Sequence, residues 1–413
     1  MSLKNKVPEI RFKGFSSNWD TYPLATFISS LDAGVSVNSG DRSANENEFG
    51  ILKTSCVTNG IFEPDENKVV FKKEEVNRLK EPVLENTIII SRMNTPALVG
   101  ANAYISRGYA NYFLPDRLWA AKPTAIGDLK FIACILGSDK GRLALSDLAT
   151  GTSGSMKNIS KSAVLRLELR APEEKEQIQI GNFFQKLDAL INQHQQKHDK
   201  LSNIKKAMLE KMFPKPGETI PEIRFKGFGG EWKEKLLGEI VTCFSGGTPL
   251  VGVEEYYKGN IPFIRSAEIN KTATELTISE SGLKNSSAKI VELGTVLYAL
   301  YGATSGEVGR ARIRGAINQA ILAIVPKAKI CPEFLAHWLR KNKENIVNTY
   351  LQGGQGNLSG EIVKNLILKL PDFEEQIAIG NYFQKLDSLI NQHQQQITKL
   401  NNIKQACLSK MFV

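Results

Sequence analysis

The sequence predicts an α+β protein made of two mixed heads, each followed by one long helix. Three observations point there: a pair of segments that occurs twice, a long proline-free run with helical periodicity after each variable stretch, and short apolar runs broken by Gly, Asn and Pro between them.

The duplication is the firmest of the three. Pro8-Glu9-Ile10-Arg11-Phe12-Lys13-Gly14-Phe15 recurs unchanged as Pro221-Glu222-Ile223-Arg224-Phe225-Lys226-Gly227-Phe228, and Trp19 recurs as Trp232 at the same offset of 213. Gln177 to Gln196 matches Gln376 to Gln395 at 17 of 20 positions, but at an offset of 199. The two offsets differ, so the stretches between the repeats differ in length, and they also differ in sequence. Repeated parts within one chain read as scaffold, unlike parts as the portion that discriminates. The resulting pseudo-two-fold plan places a first head at 1–171 with its repeat segment at 8–19, a central helix at 172–213, a second head at 214–370 with its repeat segment at 221–232, and a final helix at 371–413.

The helices follow from local chemistry. Pro172 precedes Glu173-Glu174, and Pro371 precedes Asp372 and Glu374-Glu375. Proline at a helix entrance and acids in its first turn suit the positive end of the helix dipole. A 4-3 spacing runs through Leu187, Ile191, His194, His198 and Leu201 in the first helix, and through Leu386, Ile390, His393, Ile397 and Leu400 in the second. That spacing predicts a helix-on-helix seam, widened by Leu190, Ile204, Leu389 and Ile403. His194 and His198 have a metal-ligand spacing, but Ile397 stands where His198 would recur, so packing is expected there rather than zinc.

The variable stretches run from Asp20 to Ala171 and from Lys233 to Leu370. Strands are predicted at Thr87–Ser91 and Thr295–Leu300, and helices at Asp128–Gly137 and Pro332–Asn348. Faint echoes align Ile51–Ser55 with Phe263–Ala267, Thr87–Arg92 and Val99-Gly100 with Val296–Tyr301 and Val308-Gly309, and Gly151–Ser160 with Gly353–Ser359. The two heads are therefore expected to share a fold and to differ in their loops.

Charge locates the partner. The chain of 413 residues carries +10, and 172–213 contributes +1 while 371–413 contributes 0, leaving +9 on the heads. A polyanion is the expected partner of the heads, with the helices as spacers. No apolar leader or membrane-length run is present, and the five cysteines are scattered, which suits reduced thiols in the cytoplasm and no membrane. No phosphate-binding loop, H-E-x-x-H, nucleophile elbow or amino-methylating Asn-Pro-Pro-aromatic run occurs. Pro64-Asp65-Glu66-Asn67-Lys68 is too crowded for a metal-dependent nuclease and is expected to be a turn. The chain is expected to bind no cofactor or metal and to catalyse nothing alone.

Loops after strands that carry Arg, Lys, Asn, Gln, Ser, Thr and Tyr can reach phosphates and base edges. In the first head these candidates are Lys53, Thr54, Ser55, Arg92, Asn94, Arg117, Lys157 and Asn158. In the second they are Thr248, Arg265, Ser266, Tyr301, Thr304, Arg310, Asn318, Gln319, Gln355 and Asn357.

Ser245-Gly246-Gly247-Thr248-Pro249, Gly259–Ile264, Tyr301–Gly309, Asn318-Gln319-Ala320 and the two Pro-x-x-x-x-Gln-x-x-Ile helix entrances together resemble the specificity subunit of a Type I restriction–modification system. The resemblance spans the chain and is weaker in the first head, where Arg92-Met93-Asn94-Thr95 stands in place of a Tyr-Gly-Ala-Thr run. It implies two target-recognition domains held apart by an antiparallel helix pair, each reading one half of an asymmetric, interrupted double-stranded DNA site. It also implies that the helices dock two methyltransferase subunits, that restriction/translocase subunits join the full complex, and that S-adenosylmethionine, ATP and magnesium belong to those partners. The competing reading is a coiled-coil adaptor with two protein-binding heads; salt-sensitive DNA binding separates the two.

Overall fold

The computed structural model describes residues 7–413 apart from 59, 151–155 and 352–356. The chain divides into two compact units, Met1–His194 with Gln395–Val413, and Gln195–Gln394. Each unit thus owns one head, the first half of the helix that follows it, and the second half of the other helix. The division falls inside the helices, not at the segment ends 171, 213 and 370.

The first head holds two four-stranded sheets. One is antiparallel, in the order Asn102–Ile105, Thr87–Ser91, Leu118–Pro123, Ile28–Ala33. The other has the order Asn67–Val70, Phe49–Leu52, Tyr109–Phe113, Pro82–Val83, with a parallel pair at its centre. The run Ile88-Ile89-Ile90 shows why the first sheet is wholly apolar at its middle. Ile88 and Ile90 face a core built on the head's helix Leu129–Gly137, while Ile89 faces a second core shared with the mixed sheet. A strand buried on both faces loses the polar alternation of a half-exposed one.

The second head repeats this topology strand for strand. Its antiparallel sheet runs Val308–Arg310, Val296–Ala299, Ile321–Pro326, Val241–Ser245, and its mixed sheet runs Leu276–Ile278, Ile261–Ile264, Gly315–Ile317, Lys289–Val291. The shared fold expected from the echoes is present, but one echo is out of register. Gly100 N–H donates to Ser91 O, and Gly306 N–H to Ala299 O, both at 2.8–2.9 Å. Arg92 therefore matches Leu300, not Tyr301, and Gly100 matches Gly306, not Gly309. Both glycines sit at a φ of +79°, which favours glycine. The helix expected across 332–348 is broken at Asn342 into Pro332–Lys341 and Lys343–Leu351.

Each head is tied off by a two-stranded ribbon whose register pairs Asp20 with Ala171, and Lys233 with Leu370. These are the limits of the two variable stretches. A head can therefore differ freely between its ribbon ends.

The long helices span Glu174–Lys211 and Phe373–Lys410, each 38 residues or about 57 Å. Within the first unit, Asp188 pairs with Lys404 at 2.6 Å and the Phe184 and Phe412 rings lie 5.8 Å apart. Within the second, Asp387 pairs with Lys205 at 2.5 Å and Phe383 lies 6.2 Å from Phe213. Partner numbers rise as helix numbers fall, so in each unit the two helical halves run antiparallel. Leu187, Leu386 and Ile397 are buried along the seam, and Ile191, His194, Leu201, Ile390, His393 and Leu400 are half-buried. Ile204 packs on the second unit's core, but Leu190 and Ile403 stand exposed, so the stripe is narrower than the sequence suggests.

The repeated segments are the clamps between head and helices. Ile10 N–H donates to Lys410 O and Ile223 N–H to Lys211 O, at 3.1 and 2.9 Å. Arg11 forks onto Glu176, and Arg224 onto Glu375, with both carboxylates almost fully buried. Trp19 packs edge-on against Phe131, and Trp232 against Phe334. The entrance glutamine serves two groups at once. Gln376 accepts from Cys331 N–H at 3.0 Å and donates to Pro371 O at 2.9 Å; Gln177 does the same with Asp128 and Pro172. Gln376→Leu is expected to cost about 1–3 kcal/mol for each buried group left unpaired, read as a lower denaturant midpoint. An unchanged midpoint would refute this role.

One buried histidine makes the second unit acid-sensitive. His337 is 3% exposed, lies 5.1 Å from the Phe383 ring, and faces Asp387 at 3.9 Å alongside Arg340 and Lys205. Burial first, then the Arg340 charge, lower its pKa from 6.5 to about 4, with Asp387 opposing. In this state the native imidazole is neutral. As pH falls below about 6.5 the unfolded chain takes up a proton that the folded one refuses, so stability falls between about pH 6.5 and 4, by roughly 3 kcal/mol at its limit. His337→Gln should flatten that slope in unfolding curves measured across this range, and an identical slope would contradict it. Cys134 occupies the matching place in the first unit, where burial pushes its thiol up.

Candidate nucleic-acid interface

Loops from both sheets of each head meet at the carboxyl ends of its central parallel strands. In the second head, backbone bonds stitch them side by side. Gly247 N–H donates to Ile317 O at 3.2 Å, Asn318 to Ile264 O at 3.3 Å, Leu300 to Ala320 O at 2.8 Å, and Leu358 to Leu300 O at 3.0 Å. This rim brings together Thr248, Arg265, Ser266, Tyr301, Thr304, Asn318, Gln319 and Asn357. Thr248 Oγ1 donates to Gln319 Oε1, and Thr304 Oγ1 to Tyr301 O at 3.3 Å. Thr248, Gln319, Tyr301 and Asn357 are exposed.

Not every candidate is free to act there. Arg265 is held by Glu268 at 3.1 Å and by Glu275, which raise its pKa and offset its charge. Arg310 sits away from the rim, on the strand residue that pairs with Val296. Its guanidinium donates to Gly294 O and, at 2.6 Å, to Glu333 on the head's helix. Both its edges are spent within the fold. Gln355 lies outside the described residues.

The first head builds the matching rim. Arg92 N–H donates to Arg117 O at 3.1 Å, Ile159 N–H to Arg92 O at 2.9 Å, and a short ladder pairs Lys157 with Asn94. Arg92, Asn94, Arg117, Lys157 and Asn158 are thereby gathered. The Arg92 guanidinium lies 5.8 Å over the Trp119 ring, and its buried Nε has no hydrogen-bond partner among the described residues. Asn94 is 7% exposed and faces inward, donating to Ser91 Oγ and accepting from Thr95 N–H. Lys53, Thr54 and Ser55 follow the parallel strand Phe49–Leu52 as Arg265 and Ser266 follow Ile261–Ile264. Lys53 pairs with Glu66 at 3.5 Å and Ser55 Oγ donates to Glu66 at 2.6 Å, lowering the pKa of that carboxyl. Pro64 and Asp65 form a turn, and Asn67 and Lys68 already begin the strand Asn67–Val70. Buried Asn67 donates to Pro64 O and accepts from Ala44 N–H, both at 2.8 Å.

Two rim residues escaped the sequence reading. Ser36 Oγ donates to Asp116 in the first head, at the place Thr248 and Gln319 occupy in the second. The signal was a glycine followed two residues later by a hydroxyl, Gly34 to Ser36 and Gly246 to Thr248. A Cβ on Gly34 would come within 1.6 Å of Leu114 O, and one on Gly246 within 1.8 Å of Ile317 O, so only glycine admits that approach.

Comparison with known proteins agrees with this architecture. Residues 229–402 match the family model of the Type I restriction modification DNA specificity domain. Over 194 residues the chain is 27% identical to the Type I restriction enzyme MjaIX specificity subunit of Methanocaldococcus jannaschii, covering 44% of each chain. Over 204 residues it is 28% identical to the Type I restriction enzyme EcoBI specificity subunit of Escherichia coli, covering 44% of this chain and 41% of that one. The matched stretches thus span less than half of these relatives. The crystal structure of a Type I restriction–modification S subunit from M. genitalium shares the fold, with a TM-score of 0.66 at 17% identity over 98% of this chain and 99% of that one.

Proposed function

We infer that this chain is a specificity subunit of the Type I restriction–modification kind, a DNA-reading subunit that recognises an asymmetric, two-part sequence in double-stranded DNA. One observation carries the reading. Two heads share one topology, and at matching rim positions they present different polar side chains, such as Asp116 against Gln319 and Ser36 against Thr248. Unlike rims on like frames suit two unlike half-sites. The +9 charge outside the helices suits a polyanion on the heads.

The chain itself binds and positions; the chemistry belongs to partners. Two methyltransferase subunits dock on the helical segments and carry S-adenosylmethionine, and restriction/translocase subunits supply ATP- and magnesium-dependent steps. The helices fix the unread gap between half-sites. Among the described residues no helix is long and apolar enough to cross a membrane.

Co-expression with the cognate methyltransferase subunit, followed by mapping of methylated adenines across the host genome, tests the proposal. A split motif methylated on both strands is expected. No new methylation would overturn it.

A further inference from the structure

The pair Ser36–Asp116 and the pair Thr248–Gln319 form one device built from different residues. In each head a glycine lets the chain press against a carbonyl at the carboxyl end of a central parallel strand, Leu114 just past Tyr109–Phe113 or Ile317 at the end of Gly315–Ile317. Two residues later a hydroxyl reaches across and donates to the side chain two residues beyond that carbonyl. The hydroxyl spends one acceptor atom of the partner and fixes its orientation. What is left exposed differs: a carboxylate oxygen on Asp116, and the Nε2 amide donor on Gln319.

Resting on the DNA-reading role above, we propose that Asp116 and Gln319 are the corresponding base-reading positions of the two heads, held in register by Ser36 and Thr248. Asp116 accepts from an exocyclic amino group in the major groove, of cytosine or adenine, and Gln319 donates to a base acceptor. The surroundings of Asp116 favour a base edge over a phosphate. Its immediate neighbour is exposed Arg117, whose carbonyl binds the backbone of Arg92, with Asn158 and Ile159 beyond. A carboxylate repels the DNA backbone, so on a basic rim it is useful only where it meets an amino group. Asn158 and Asn357 occupy matching rim positions and are the same residue, which suits contacts common to both half-sites.

The test uses the full complex with its methyltransferase subunits and reads the methylated motif genome-wide. Asp116→Asn keeps an acceptor for Ser36 and turns the outward group from acceptor to donor. The expected result is a change at a single position of one half-site, from a base with an amino group to one presenting an acceptor, on the order of a 10- to 100-fold shift in preference. Ser36→Ala loosens the same side chain and should make that one position degenerate. Thr248→Ala should do so at one position of the other half-site. A motif unchanged by Asp116→Asn overturns the assignment, as do changes in both half-sites. Loss of all methylation in Asp116→Asn together with an intact motif in Ser36→Ala also overturns it, whereas loss together with degeneracy at one position in Ser36→Ala supports it. A wild-type complex that methylates no split motif would instead strike at the DNA-reading role, so the two failures are distinct.

Discussion

Arg224→Ala is expected to destabilise the second unit by about 3–5 kcal/mol. Glu375 is 1% exposed and accepts from two guanidinium nitrogens, Nε and Nη2, at 2.7 Å, so removing the arginine leaves a buried carboxylate without its counter-charge. The same guanidinium also closes the carbonyls of Gly229 and Gly230 at 2.7 and 2.6 Å. Adding Glu375→Gln should recover much of the loss, because the cost lies chiefly in the stranded charge. Denaturant unfolding of the single and double variants measures both numbers. A loss under about 1 kcal/mol would mean that the carboxylate finds water or another partner. Arg11→Ala should act alike through Glu176, in the other unit.

On the proposed DNA-reading role, exchanging residues 20–171 for the corresponding stretch of a Type I specificity subunit should replace one half of the methylated motif and leave the other half unaltered. The ribbon pairing Asp20 with Ala171 brings both ends of that stretch to one place. The clamp residues Arg11, Trp19 and Glu176 lie outside it. Genome-wide methylation mapping gives the outcome directly, and a change in both halves would break the modular reading.

The frame was legible in the sequence because its constraints are local and repeated. Pro172 and Pro371 mark helix starts, and the 4-3 spacing marks the seam. The unbroken Ile88–Ile90 run marks a strand buried on both faces, and its echo in the second head was visible though misaligned by one residue. The rim was less legible because it is built from long-range pairs. Nothing near Asp116 in sequence announces Ser36, 80 residues away. Arg310 looked like a free base because Glu333, its partner, lies 23 residues further on. Asn94 carried a plausible base-reading amide, yet it is spent on its own turn.

The backbone bonds from Ile10 to Lys410 and from Ile223 to Lys211 make the order of segments cyclic. The first clamp continues from the end of the second helix as the second clamp continues from the end of the first. At the second of these joints the chain runs on from Lys211 to Ile223, and the backbone bond at the first is alike. Where the polypeptide is cut is thus a separate matter from where its contacts lie. A chain joined across Lys410 and Ile10 by a short linker, and opened instead in the exposed connection around Gly217, would keep both clamps, both ribbons and both rims.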